Sequence, residues 1–106
     1  MAIVPAGLVR QKELAKSVDR AIARLGNRIV HLSYSLGEDW TGEPSVFFRV
    51  VIPDAAAQED KLVDVTNGIR SVVDDIVRPF ENWGLLSYFS FRSKSEQNSR
   101  NDPEWA

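Results

Sequence analysis

The sequence predicts a single α+β domain in which two helices pack on one side of a three-stranded sheet. The chain has 106 residues, the size of one ordinary domain. Apolar residues recur with a helical period in two segments and alternate in three others, in the order α-β-β-α-β. Hydrophobic residues make up 43% and charged residues 26% of the chain, which is typical of a globular protein.

The first helix is predicted from about Leu8 to Leu25. Its apolar stripe consists of Leu14, Val18, Ile22 and Leu25. Gly26 and Asn27 follow at once, and both tolerate the left-handed conformation that ends a helix. The pattern therefore indicates a helix with one buried face and a defined end.

Two strands follow the first helix. In the first strand the apolar or aromatic side chains Val30, Leu32, Tyr34 and Leu36 alternate with His31, Ser33 and Ser35. Residues 37–44 are rich in turn formers, and residues 46–52 form a β-branched and aromatic run that ends at Pro53. This order predicts an antiparallel hairpin with a long loop.

The rest of the chain predicts a second helix and a third strand. Asp54 is expected to cap the second helix, whose apolar spacing runs from Leu62 to Val77 before Pro79 ends it. Leu85 to Arg92 alternates as a strand. Residues 93–106 are polar and are predicted to be an extended or partly ordered tail, so that the domain proper is 1–92.

Connection rules restrict the topology. A right-handed crossover through the second helix should bring the third strand parallel to the second. We expect the third strand beside the first, which gives the order 2-1-3 in a mostly antiparallel sheet related to half of a ferredoxin-like fold. The main alternative places the third strand beside the second.

Two helices cover only one side of such a sheet, and the opposite side is called the far face below. Alternation assigns to it Ile29, His31, Ser33 and Ser35, then Phe47, Arg49 and Val51, and finally Leu86, Tyr88, Ser90 and Arg92. The apolar members Phe47, Val51, Leu86 and Tyr88 offer more area than a solvated face needs. The predicted binding residues are therefore Phe47, Arg49, Val51, Tyr88, Arg92 and His31, with Trp40 in the hairpin loop as a second contact.

Three classes of function use this face. The favoured hypothesis is a non-enzymatic module that binds a protein partner or a second copy of itself. The same aromatic residues and arginines suit a single-stranded nucleic acid, although the RNP pattern is missing and the net charge is −2. The third hypothesis is an enzyme in which Arg49 and Arg92 hold an anionic substrate.

Motifs for catalysis, cofactors and metals are weak throughout. The single histidine, His31, is flanked by serines that lie two residues apart along a strand, and no nucleophile elbow or phosphate-binding glycine loop is present. Glu38, Asp39 and Glu43 could ligate a hard cation, but their spacing fits no known loop and a solvated turn is favoured. We expect no catalytic residue, no cofactor and no metal site.

The absence of cysteine removes disulfides and thiolate sites and fits a reducing compartment. The N-terminal residues include an apolar start that Pro5 and Gly7 interrupt well before the roughly 20 residues needed to span a bilayer. We expect a soluble, cytoplasmic protein without a membrane partner.

The segments GEDWTGEPSVFFRVVIPD, LLSYFSFRSKSEQ and DPEWA together resemble a group of small, uncharacterised bacterial proteins. The resemblance covers residues 27–106. It implies gene neighbourhoods of toxin–antitoxin or defence type, and with them a role as the partner of another protein. It implies no catalytic residues.

Overall fold

The computed structural model describes residues 11–105 of the chain. The regular elements are α1 (Gln11–Leu25), β1 (His31–Glu38), β2 (Pro44–Ile52), α2 (Glu59–Val77), α3 (Pro79–Trp83), β3 (Leu86–Ser93) and α4 (Lys94–Arg100). Short 3-10 helices cover Gly26–Arg28, Asp54–Ala57 and Pro103–Trp105. The predicted start of the first helix at Leu8 lies outside the described residues.

The core lies between one side of the sheet and the two long helices. From α1 it takes Leu14, Val18, Ala21 and Leu25, from α2 Ile69, Val73 and Val77, and from the sheet Leu32, Val46, Phe48, Val50 and Ile52. The predicted stripe of α1 is confirmed, with Ile22 packed at its margin. Both helices therefore cover one side of the sheet, as the sequence predicted.

The order of the strands differs from the prediction. The sheet has the order β1-β2-β3, in which β1 pairs antiparallel and β3 pairs parallel with β2. The parallel relation of the second and third strands is confirmed, while the order 2-1-3 and the mostly antiparallel sheet are wrong. The physical reason lies in β2, which is the most buried of the three strands: its helix-side residues are fully buried, and Ser45 and Val51 are buried on the far face as well, so it takes the centre. The serine-rich β1 takes an edge.

The hairpin turn is tighter than predicted. Glu38 and Pro44 are already strand partners, so only residues 39–43 form the loop. The amide of Gly42 donates to the carbonyl of Asp39 at 3.0 Å, and Gly42 adopts a φ of +86° that favours glycine. The long loop expected over residues 37–44 is thus a five-residue turn.

The second helix begins later than predicted. Asp54 starts a 3-10 turn rather than capping α2, which begins at Glu59. The helix ends at Val77, Arg78 is left-handed with φ 50°, and Pro79 opens α3, which confirms the predicted stop.

The C-terminal residues fold against the sheet. Ser93 caps α4 by accepting a hydrogen bond from the Glu96 amide at 3.1 Å. The Asp54 carboxylate accepts hydrogen bonds from the amide (2.9 Å) and the hydroxyl of Ser95. Trp105 is only 7% exposed. An extended or partly ordered tail was therefore the wrong expectation for this segment.

A search of the helices within residues 11–105 finds none long and apolar enough to cross a membrane.

Candidate protein-binding site on the far face

The strand register confirms most of the predicted far face. Its cross-strand rows, from β1 through β2 to β3, are His31–Val51–Arg92, Ser33–Arg49–Ser90, Ser35–Phe47–Tyr88 and Gly37–Ser45–Leu86. Ile29 is the exception, because it precedes β1 and is buried in the core on the helix side. Six of the seven predicted binding residues thus share one face, and the seventh, Trp40, lies in the adjacent turn.

The row that contains Val51 and Arg92 is covered by the chain itself, and is called the covered end. Arg92 lies over the Trp105 ring, with 4.2 Å from its guanidinium carbon to the ring centroid. The same guanidinium donates to Gln97 Oε1 at 3.0 Å and pairs with Asp102 at 3.5 Å. Val51 is 3% exposed, so its predicted exposure on this face is wrong: the residues after β3 turn back over it. His31, in the same row, remains exposed.

Phe47 and Tyr88, nearer the hairpin turn, form a ladder of three aromatic rings with Trp40 of that turn, and this part of the far face is called the open end. Phe47 and Tyr88 stack with their centroids 5.6 Å apart and an interplanar angle of 17°. The Trp40 ring also packs against the Tyr88 ring, with the two centroids 5.5 Å apart and an interplanar angle of 54°. Phe47 and Tyr88 are half-buried by these contacts, whereas Trp40 is 82% exposed. The apolar surface that remains available is therefore concentrated at Trp40.

Asp39 fixes the turn that carries Trp40. Its Oδ1 accepts hydrogen bonds from the Thr41 amide (2.8 Å), the Thr41 hydroxyl (2.6 Å) and the Glu43 amide (3.0 Å). Its Oδ2 accepts a hydrogen bond from the Tyr88 hydroxyl at 2.7 Å, which ties the turn to the far face. An acid expected in a solvated turn is instead the residue that orients Trp40 over Tyr88.

These hydrogen bonds also set the ionisation of the pair. The hydroxyl groups of Thr41 and Tyr88, followed by the two backbone amides, lower the pKa of Asp39 to about 2. The same hydrogen bond to Asp39 raises the pKa of Tyr88. The phenol therefore stays a donor and the carboxylate stays an acceptor throughout the neutral range.

Acidic side chains flank the aromatic ladder. Glu38 and Glu43 are exposed on either side of the turn, and Asp39 carries its own charge. Within residues 11–105 there is no cluster of three or more histidine, cysteine or acidic side chains with the geometry to hold a metal ion. The charged side chains beside Trp40 are thus negative.

A scan against protein-family models gives no match for this chain, and searches of curated proteins and of solved structures give none either.

Sequence reasoning missed two residues that decide the shape of this face. The signal for Asp39 was the run Asp-Trp-Thr-Gly, in which an aspartate two residues before a threonine favours a side-chain-stabilised turn. The signal for Trp105 was a lone large aromatic residue at the end of a polar segment. Neither signal gives the long-range contacts, from Asp39 to Tyr88 and from Trp105 to Arg92.

Proposed function

We propose that the protein is a non-enzymatic binding module that holds a protein partner at the open end of the far face. The observation that carries this proposal is Trp40, which is 82% exposed yet stacked on Tyr88 and held by a turn that Asp39 organises. An exposed tryptophan in a fixed orientation loses little conformational freedom on binding, and tryptophan and tyrosine are enriched among residues that dominate binding energy.

The surroundings of Trp40 favour a partner segment with apolar and basic side chains. The Phe47–Tyr88 stack offers a flat aromatic surface beside the indole. Glu38 and Glu43 place negative charge at its rim. A lysine or arginine flanking an apolar side chain would satisfy both features, since rim charges steer association and select partners.

A single-stranded nucleic acid fits this end less well. Stacking on the aromatic ladder is available, but the nearby charges are carboxylates, which repel phosphates. Arg92 is already held by Trp105, Gln97 and Asp102, and Arg49 is half-buried. The two arginines expected to hold phosphates are therefore poorly placed for that role.

The resemblance to small bacterial proteins of toxin–antitoxin or defence neighbourhoods agrees with a role as a protein partner. A protein encoded beside this one is accordingly the first candidate to test as the binding partner.

The experiment is isothermal titration of the purified chain with the purified protein of the adjacent gene. Phe47→Ser and Trp40→Ala should weaken binding by at least about tenfold, because each removes part of the aromatic ladder. Val30→Ser is the matched control, because Val30 is 47% exposed and lies next to β1 at the other end of the sheet.

If Phe47→Ser, Trp40→Ala and Val30→Ser bound the partner protein with equal affinity, the proposed binding site at the open end would be contradicted. Fluorescence anisotropy with short DNA and RNA oligomers, measured over a salt series, tests the nucleic-acid alternative. Binding that strengthens as salt falls and disappears in Trp40→Ala would replace the protein partner by a nucleic acid.

A further inference from the structure

The outer edge of β3 is a second surface, distinct from the aromatic ladder. Among the described residues β3 pairs with β2 alone, over the eight residues Leu86–Ser93. In such an edge strand, backbone N–H and C=O groups point away from the sheet at every second residue. An edge of this length can accept another strand.

Three features that often blunt an edge strand are absent from β3. It contains no proline and no lysine, and its register with β2 runs without a bulge. Its one charged residue, Arg92, is turned towards Trp105 and is only 14% exposed in its side chain. The edge strand is therefore regular and contains a single charged side chain.

On the helix side of the sheet, apolar side chains next to this edge remain partly exposed. Phe89 and Phe91 of β3 are stacked 6.1 Å apart and only half-buried, with the Arg70 guanidinium lying over them at 6.0 and 5.5 Å. On α2 above them, Leu62 and Val63 are exposed, Val63 by 67%. An added strand would cover the two phenylalanine rings, which the native helices cover only in part.

The sequence of β3 is compatible with antiparallel pairing to itself. With Ser90 opposite Ser90, Phe89 faces Phe91 of the second copy on the helix side, and Tyr88 faces Arg92 on the far face. Aromatic pairs are favourable across strands, and no two like-charged residues of β3 stand opposite each other. The small, exposed Ser90 at the centre lets the two backbones approach.

We propose that the protein forms a two-fold symmetric dimer through β3, in which the two sheets join into one sheet of six strands around Ser90. The partner at this edge is a second copy of the chain, because the cross-strand pairs are complementary in both directions. The dimer is formed by the edge of the sheet, whereas the protein partner proposed for the open end is bound by Trp40, so the two proposals are tested by different variants.

The test uses the absence of cysteine from the chain. Ser90→Cys places one thiol at the proposed axis, where opposed Cα atoms lie about 4.5–5.5 Å apart, within reach of a disulfide. Two copies stacked face to face would keep these atoms about 10 Å apart, which is too far. We expect Ser90→Cys to form a covalent dimer under mild oxidation much faster than Ser99→Cys, a control on the exposed surface of α4.

Sedimentation equilibrium gives the second readout. Ser90→Lys sets two ammonium groups opposite each other and should raise the dimer dissociation constant by on the order of tenfold or more, while Ser99→Lys should leave it unchanged. A wild-type chain that sediments as a monomer at all concentrations overturns the proposal, and so does equal cross-linking of Ser90→Cys and Ser99→Cys. Either result would leave binding at Trp40 unaffected.

Discussion

The covered end and the open end of the far face belong to the same strands, yet they are completed in different ways. At the covered end Val51 and Arg92 meet Trp105, a residue thirteen positions further along the chain than Arg92, and little apolar surface remains. At the open end Phe47 and Tyr88 meet Trp40, which leaves most of its own surface in water. Trp105 thus covers one end of the far face, whereas Trp40 remains exposed to solvent at the other.

The difference shows how an aromatic residue that stabilises the fold can be distinguished from one that is available for binding. Trp105 has a cation over its ring and is buried, so its removal should cost stability. Trp40 is held in position by a turn but contributes little buried area, so its removal should cost binding. The experiments below test this division, beginning with the largest expected effect.

Trp105→Ala should lower the free energy of unfolding by about 3 kcal/mol, the usual cost of removing a large buried aromatic side chain. Trp40→Ala, the matched control, should change it by less than about 0.5 kcal/mol, as expected for an exposed position. Urea denaturation followed by far-UV circular dichroism measures both. Equal losses for the two tryptophans would remove the distinction between the two ends.

Arg92→Ala should lower the free energy of unfolding by roughly 1–2 kcal/mol, because the side chain loses its stacking on Trp105 and its hydrogen bond to Gln97. Combined with Trp105→Ala in a double-mutant cycle, the coupling energy should be about 1 kcal/mol. Arg78→Ala is the control, since Arg78 forms an exposed pair with Glu81 that should contribute less than about 0.5 kcal/mol. Strict additivity of Arg92→Ala and Trp105→Ala would contradict the contact.

Asp39→Asn should make the free energy of unfolding less dependent on pH in acid. The native pKa of Asp39, about 2, lies below the ordinary value of 3.8, so its carboxylate stabilises the fold above pH 3.8. That contribution is lost as the pH falls from 3.8 through about 2. The pKa of Asp54 is lowered in the same direction by its hydrogen bonds to Ser95, so the comparison with the wild-type chain isolates Asp39. Chemical denaturation at a series of pH values should give curves that converge in acid; parallel curves would count against the prediction.

Tyr88→Phe should produce the smallest effect, an upward shift of the Asp39 pKa from about 2 towards 3.8. The shift should be partial, because the hydrogen bonds from Thr41 and Glu43 remain. Carbon-13 chemical shifts of the carboxyl group, titrated by NMR, measure it directly. An unchanged pKa in this variant would mean that the turn is not tied to the far face through Tyr88.

Much of the fold could be predicted because local periodicity determines it. The apolar stripe of α1, the alternation of β1 and β3 and the stop at Pro79 are properties of neighbouring residues. The order of the strands is not determined by local periodicity, because it depends on which strand is the most buried. The continuous run Val-Phe-Phe-Arg-Val-Val-Ile in β2 carried that information, but the prediction treated one side of it as open.

The candidate site could likewise be predicted only in part. The sequence by itself determined which side chains share the far face, because a strand alternates with a period of two. Only the tertiary structure decided which of them remain exposed, since that depends on segments distant along the chain. The residues after β3 turn back to bury Val51, and Asp39 binds Tyr88 from a turn 49 positions away. Contacts over such distances are set by how the whole chain packs, and no local pattern encodes them.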